Sequence, residues 1–244
     1  MGLETSKLVM KLSSFMELTE PEKACLAELQ SKPTTVKRGR ELVQQGEKGQ
    51  VAYVLQSGWG CSYKTLSDGG RQVITFPIAG DCVGLRSVLL RTSDHSFSAL
   101  TNAKVSRVEL SRMMKLFNEF PRLGTAILWA TSRDEAITVE HLASVGRRTA
   151  IERTAHFFLE LWDRLRLVGL ADETEFHCPL NQYELADALG LSAIHVNRVL
   201  RELREVKLLT FNAQKVVFHD MPECRLLAGY EVVENVSLKS SAPV

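Results

Sequence analysis

The stretch from Leu180 to Leu208, LNQYELADALGLSAIHVNRVLRELREVKL, constrains this chain more than any other. A first helix is predicted from about Gln182 to Leu189, with Leu185, Ala186 and Leu189 on one apolar face. Gly190 follows, a residue able to take the left-handed conformation that ends a helix, and Ser192 is placed to cap a second helix over roughly Ala193 to Val206. Val196, Val199 or Leu200, and Leu203 return at three- to four-residue steps and turn inward, which leaves Ala193, Ile194, Asn197, Arg198 and Arg201 outward. Two helices joined in this way form a helix-turn-helix, whose second helix sets its first turns against base edges in the major groove. Ile194, Asn197 and Arg198 are then the base-reading candidates, with Ser192 and His195 nearer the phosphates. An amphipathic hairpin that only pads a core also fits the spacing. The following segment, LLTFNAQKVVFHD, favours DNA, because it alternates apolar residues about Asn212-Ala213-Gln214 as a two-stranded wing does.

Periodicity divides the rest. Residues 12 to 30 read as helical, with Thr19-Glu20-Pro21-Glu22 resembling a helix start. From Thr34 to Leu110 the pattern changes to short alternating or β-branched runs punctuated by Gly46, Gly58, Gly60, Gly69-Gly70 and Gly80, the mark of an antiparallel sandwich or roll. Beyond Leu110 it is helical again, and a long helix is expected from Pro121 to about Val145. On that helix Leu123, Ile127, Ala130, Asp134, Ile137 and His141 follow alternating steps of four and three, the spacing of a coiled-coil seam between two copies. Asp134 and His141 interrupt the seam, and a single long helix packed on its own roll is the other reading.

At this point the chain resembles a family. YELADALGLSAIHVNRVLRELREVKLL and the wing after it resemble the C-terminal domain of the CRP/FNR superfamily of bacterial transcription regulators. Upstream, Gln44 to Gly60 (QQGEKGQVAYVLQSGWG) resembles the glycine-marked strand pair of the cyclic-nucleotide-binding β-roll, and Phe76 to Leu89 (FPIAGDCVGLRSVL) resembles the segment leading into its ligand cassette. The likeness runs from about Leu12 to Met221. It implies an α+β chain with an N-terminal β-roll sensor domain over 1–118, a dimerisation helix over 119–147, a winged helix-turn-helix over 148–230 and a polar tail over 231–244. It further implies a homodimer whose paired recognition helices, ~34 Å apart, read two half-sites one turn of double-stranded DNA apart, with RNA polymerase as a further partner.

Departures from the family matter as much. In nucleotide-binding relatives the cassette supplies a glutamate for the ribose and an Arg-Ser pair for the cyclic phosphate. Here Leu85 follows Gly84 at the glutamate position, and Phe97 precedes Ser98 where the arginine belongs. A cyclic phosphate buried without its guanidinium is poorly compensated, so usual cyclic AMP binding is not expected. The effector pocket that the resemblance implies comprises Gly84, Leu85, Arg86, Phe97, Ser98 and Thr138, with Arg86 or Arg91 as alternative anion-binding groups. The cassette lies closer to the FNR-like branch, but only Cys25 precedes residue 60, so that branch's iron-sulfur pattern is missing. No cofactor is expected and an unknown small-molecule effector stays open; His95, His141 or Cys82 would be the ligands if a haem were the sensor. Cys178 beside His177 is a redox candidate, on condition of exposure and a lowered thiol pKa. At the recognition helix Arg198 matches the family's guanine-binding arginine, and Ile194 stands where a glutamate usually accepts from cytosine, so half-sites keep a guanine but differ from familiar ones.

Composition sets the remaining bounds. Two domains fit in 244 residues that are 45% hydrophobic, and a net charge of +1 means that positive potential must be local rather than general. Five scattered cysteines read as reduced thiols, and neither a signal peptide nor a run of ~20 apolar residues is evident, so a cytoplasmic protein without membrane contact is expected. Walker loops, paired carboxylates with a metal partner and nucleophile motifs are missing, which argues against an enzyme. The alternative function is a β-roll protein that controls a protein partner, a class without a winged helix-turn-helix after the roll.

Overall fold

The computed structural model describes residues 6–48, 51–85, 90 and 92–231. Within them one compact unit takes in the stretches up to Gly70 and Thr75–Asp134, and the other takes in Arg71–Ile74 and the residues from Glu135 onward.

The first unit opens with helices α1 (Lys7–Ser13) and α2 (Glu20–Leu29). The helix expected over 12 to 30 is thus broken, and α2 begins where the Thr19 signal placed it. Thr19 accepts from the Glu22 amide while Glu22 accepts from the Thr19 amide, a capping box with Pro21 in the first turn. The strands that follow along the chain are β1 (Pro33–Val36), β2 (Glu41–Val43), β3 (Val51–Ser57), β4 (Gly60–Thr65), β5 (Arg71–Thr75), β6 (Cys82–Val83), β7 (Ser96–Ala99) and β8 (Ala103–Glu109), of which β5 falls in the second unit except for Thr75. Those of the first unit are ordered β1-β8-β3-β6 in one sheet and β2-β7-β4 in the other, and β1 with β8, β3 with β8 and β6, and β7 with β2 and β4 pair antiparallel. Two glycines are required by this packing. Gly58 has φ +87° and a Cβ there would lie 2.6 Å from the Asn102 carbonyl oxygen; a Cβ on Gly60 would lie 2.2 Å from the Phe97 ring.

Helix α3 (Leu110–Glu119) leads into α4 (Pro121–Arg147), a single helix of 27 residues. In the first unit Leu123 and Ala126 of α4 are fully buried with Leu8, Leu12, Phe15, Leu26 and Val54, and Ile127, Trp129 and Ala130 pack against the same cluster. The Phe15 and Trp129 rings stack with centroids 5.0 Å apart. Lys11 is buried and pairs with Asp81 at 2.7 Å and with Asp134 at 3.5 Å. The second reading of the long helix therefore holds for the seam proposed from sequence. Leu123, Ile127, Ala130 and Asp134 face their own roll, Asp134 because it answers the Lys11 ammonium.

The second unit is organised by α5 (Ala150–Leu167), a helix not anticipated from the sequence although Thr149 and Glu152 form a capping box at its start. Its buried face, including Ala155, Phe158, Leu159, Trp162 and Leu165, carries the domain core. After α5 come β9 (Glu175–His177), α6 (Gln182–Leu189), α7 (Ala193–Glu205), β10 (Leu209–Asn212), β11 (Lys215–Phe218) and α8 (Met221–Ala228). The strands make a three-stranded sheet in the order β10-β11-β9. Phe211 and Phe218 of the wing place their rings 5.5 Å from Phe158 and 6.4 Å from Trp162, so the wing is anchored on α5. The Trp162 indole N–H donates to the Asp172 carbonyl at 2.9 Å, which satisfies the one polar atom of a buried ring.

Candidate nucleic-acid interface

Helix α6 starts at Asn181, whose side chain accepts from the Tyr183 and Glu184 amides, and Glu184 returns the bond to the Asn181 amide. It ends at Gly190 in the left-handed conformation, φ +62°, and the Leu191 amide reaches back to the Ala186 carbonyl. The turn is therefore fixed at both ends by local chemistry. Ser192 then caps α7 by accepting from the His195 amide at 3.2 Å. Both helices run where the sequence placed them, within one residue at the C-terminus of α7.

Burial divides α7 cleanly. Val196, Val199 and Leu203 are buried, and Leu200 is only partly so. On the other side Ser192, Ile194, Asn197, Arg198 and Arg201 are exposed, with Ala193 and His195 half-buried. Ile194 is 84% exposed, a large apolar side chain held in water at the first turn, which suits contact with a thymine methyl group. The Asn197 amide donates to Gln182 Oε1 of α6, so this side chain is oriented across the turn. Arg198, Arg201 and Arg204 share the exposed face with Glu202 and Glu205, and the positive excess is local and small. Sequence reasoning passed over Tyr183, which is 65% exposed in the first turn of α6; its place just after the cap residue was the available signal.

The wing turns at Ala213 and Gln214, both with positive φ, +48° and +61°, as a type I′ hairpin requires. Neither residue is glycine. The turn is held from outside, because the Cys178 amide donates to the Gln214 carbonyl at 2.8 Å and β9 pairs with β11 through Lys215. Cys178 itself is fully buried, and burial pushes its thiol up to about 12. The redox role considered for it required exposure and a lowered pKa, and the structure gives the opposite of both.

Of the six residues of the implied effector pocket, Gly84, Leu85, Phe97, Ser98 and Thr138 are among the described residues. Gly84 takes φ +80°, Leu85 packs on the roll's core, and Ser98 lies half-buried on β7. Phe97 is 1% exposed, and its ring fills the space left by Gly60 among Val43 and Val83. Thr138 is exposed on α4 and belongs to the second unit. Arg86 and Arg91 lie outside the described residues. Cys82, a candidate haem ligand, is held protonated by burial, its thiol pushed up to about 12. His95 pairs with Asp94 at 2.8 Å. His141 is half-buried in the second unit, its pKa lowered by burial first and then by the Arg153 charge.

A roll followed by a long helix and a winged helix-turn-helix with an open, capped recognition helix defines a DNA-binding transcription regulator. Two family models match the chain, the cyclic nucleotide-binding domain over residues 33–120 and the Crp-like helix-turn-helix domain over residues 152–225. The chain belongs to the CRP/FNR family of bacterial transcription regulators, whose members are not enzymes and act as dimers. It is 29% identical to the nitrogen fixation regulation protein FixK of Rhizobium meliloti over 191 residues, 78% of this chain and 83% of that protein. It is 25% identical to the transcriptional activator protein anr of Pseudomonas aeruginosa over 214 residues, covering 88% of this chain and 87% of that one. The structure of FixK2 from Bradyrhizobium japonicum superposes with a TM-score of 0.72 and 27% identity, over 82% of this chain and 98% of that chain. The alternative of a β-roll protein without a DNA-binding domain is thereby removed. No helix among the described residues is long and apolar enough to cross a membrane.

Proposed function

We propose that this protein is a cytoplasmic homodimer that binds two-fold symmetric promoter sites through α7, and that its roll does not respond to cyclic AMP in the usual way. The observation that carries the DNA reading is the first turn of α7, where Ser192 fixes the helix start and Ile194, Asn197 and Arg198 stand free of the core. Arg198 is assigned the bidentate contact to a guanine, and Ile194 the contact to a thymine methyl, with Ser192, His195 and Arg201 on the phosphates. Phe97 supports the ligand reading, since it stands at the sequence position that the resemblance gives to the phosphate-binding arginine and is itself buried. RNA polymerase is the further partner that family membership suggests.

For the dimer the surface is a different stripe of α4 from the one that periodicity first suggested. Leu128, Val139 and Leu142 are 66%, 59% and 73% exposed, and with Ser132, Glu135 and Gly146 they follow alternating steps of four and three. Three exposed aliphatic side chains on one helical stripe are the pattern of a face awaiting a second copy.

Selection of bound duplexes from a random pool by purified protein, with no added ligand, tests the proposal. A palindromic motif containing a guanine is expected, and Arg198→Ala should lose preference at that base, by roughly 1–3 kcal/mol, while the salt dependence changes little. Selection of the same motif by the variant refutes the assignment of Arg198. In parallel, Leu142→Glu should yield monomers in sedimentation equilibrium, and an undisturbed dimer would remove the stripe as the seam.

A further inference from the structure

Asn197 stands between the two residues of α7 assigned to bases. It follows Ile194 by three positions and precedes Arg198 by one, so the three share the exposed face of the helix. Alone, its carboxamide is ambiguous. Rotation by half a turn about the last side-chain bond exchanges Oδ1 and Nδ2, and an exposed amide without a partner adopts both orientations. A donor and an acceptor then trade places over the same base edge. Here a residue of α6 blocks the exchange, because Asn197 Nδ2 donates to Gln182 Oε1 in the first turn of that helix. The bond joins two fixed points. The Asn181 capping box sets the start of α6, and Gly190 and Ser192 set the turn into α7. Gln182 is half-buried, whereas Asn197 is exposed. One Nδ2 hydrogen is thereby engaged within the protein, and Oδ1 and the second Nδ2 hydrogen face outward.

We infer that Gln182 is a positioning residue for base recognition, holding the Asn197 carboxamide in the one orientation that reads an adenine in each half-site. This rests on the assignment of α7 to base edges made above. Adenine is the base whose major-groove edge sets a donor, N6, beside an acceptor, N7, and a carboxamide meets it with two bonds. Guanine offers two acceptors there, cytosine one donor, and thymine one acceptor beside its methyl group. A fixed amide therefore favours adenine. A rotating one loses part of that preference, because the reversed orientation sets its N–H against N6 and its oxygen against N7. Gln182 does this without touching the DNA; it acts through Asn197.

The experiment uses the full chain. Sequencing of duplexes selected from a random pool gives the base preference at every position of the site. In wild type each half-site should contain an adenine whose preference, on the order of 10- to 100-fold, disappears in Asn197→Ala. Gln182→Met keeps the length of the side chain and removes the acceptor, and it should weaken that one preference by roughly 2- to 10-fold. Gln182→Glu returns an acceptor to the same place. It should retain the adenine preference while lowering affinity for all sequences alike, since it adds a negative charge beside the phosphates. In an Asn197→Ala background Gln182→Met should alter no base position. An undiminished adenine preference in Gln182→Met overturns the inference. So does a change made by Gln182→Met in the Asn197→Ala background, because Gln182 would then read DNA itself. A motif left unchanged by Asn197→Ala overturns it as well. If Arg198→Ala alters the motif in that case, α7 still reads DNA and only the Gln182–Asn197 pair fails; if neither variant alters it, the reading of α7 itself has failed.

Discussion

Whether the roll is closed to a cyclic nucleotide depends on one aromatic ring and one glycine, and the pair is open to a direct energetic test. Phe97 is 1% exposed among Val43 and Val83, and Phe97→Ala should destabilise the roll by about 3–5 kcal/mol through lost burial and the cavity left behind. Gly60→Ala should also be harmful, because its Cβ would arrive 2.2 Å from Phe97 Cε2 and 2.8 Å from Cζ. Separation of that size demands movement of a ring that is itself buried, an overpacking effect of about 1–3 kcal/mol. In a Phe97→Ala background the obstacle is gone, and the same methyl enters a void. The double variant should therefore be more stable than the sum of the single effects predicts by about 1–3 kcal/mol, since residues in contact couple on that scale and distant ones do not. Urea unfolding followed through a fluorescence probe in the roll measures each corner of the cycle. Additive effects within about 0.5 kcal/mol would show that the ring does not occupy the space beside Gly60. The structural basis for excluding the cyclic phosphate would then be lost. Thermal shift assays on wild type with millimolar cyclic AMP supply the functional counterpart, with no stabilisation expected.

Further outcomes follow from the second unit. His156 is buried, and burial first, then the Arg148 charge, push its pKa down to about 4, with Glu140 at 3.4 Å opposing them. The unfolded chain binds this proton near pH 6.5 and the folded chain does not, so stability is present above that pH and is lost as pH falls toward 4, by at most ~3 kcal/mol. Urea midpoints measured across that window should show the slope in wild type and a flatter one in His156→Gln. Replacing Gln214 with glycine relieves a left-handed non-glycine residue and should stabilise the wing domain by about 0.5–1 kcal/mol, with a raised melting temperature; a lowered one would contradict the turn geometry. Ser192→Ala removes the cap of α7 and should cost about 1 kcal/mol in stability while weakening DNA affinity measured by fluorescence anisotropy; unchanged values in both would count against the cap.

Much of the interface was legible because its signals are local. Gly190, Ser192 and the alternation about Asn212-Ala213-Gln214 each act within four residues, and each produced the element expected of it. Helix α5 is not among the expected elements although Thr149 and Glu152 announce its start, because the helix-turn-helix pattern is local and does not itself call for the helix on which it packs. The buried Lys11 and the filled roll were harder to read. Lys11 meets Asp81 across 70 residues of chain, and nothing local marks it as inward-facing. Phe97 was noticed as a missing arginine, but the ring's fit against Gly60 is a long-range complementarity that strand patterns do not encode.

The seam shows why a correct period can still choose the wrong face. Leu123, Ile127 and Ala130 and Leu128, Val139 and Leu142 lie on two stripes of one helix, and both satisfy steps of three and four. Periodicity reports that a helix has an apolar side, and α4 has two, one packed on its roll and one that we assign to a second copy. The polar residues carry the distinction. Asp134 on the inner stripe has Lys11 within its own chain, whereas Glu135, one residue on, points away from that cluster and stands exposed. A charge on an apolar stripe thus indicates an inner face when a partner for it exists elsewhere in the same chain, and sequence alone does not show which distant lysine will arrive. Exchanging the roles tests this reasoning. Asp134→Leu leaves Lys11 buried with one carboxylate fewer and should destabilise the first unit, whereas Glu135→Leu should leave its unfolding midpoint unchanged and strengthen dimerisation. Equal effects of the two substitutions on urea unfolding would mean that the faces have not been told apart.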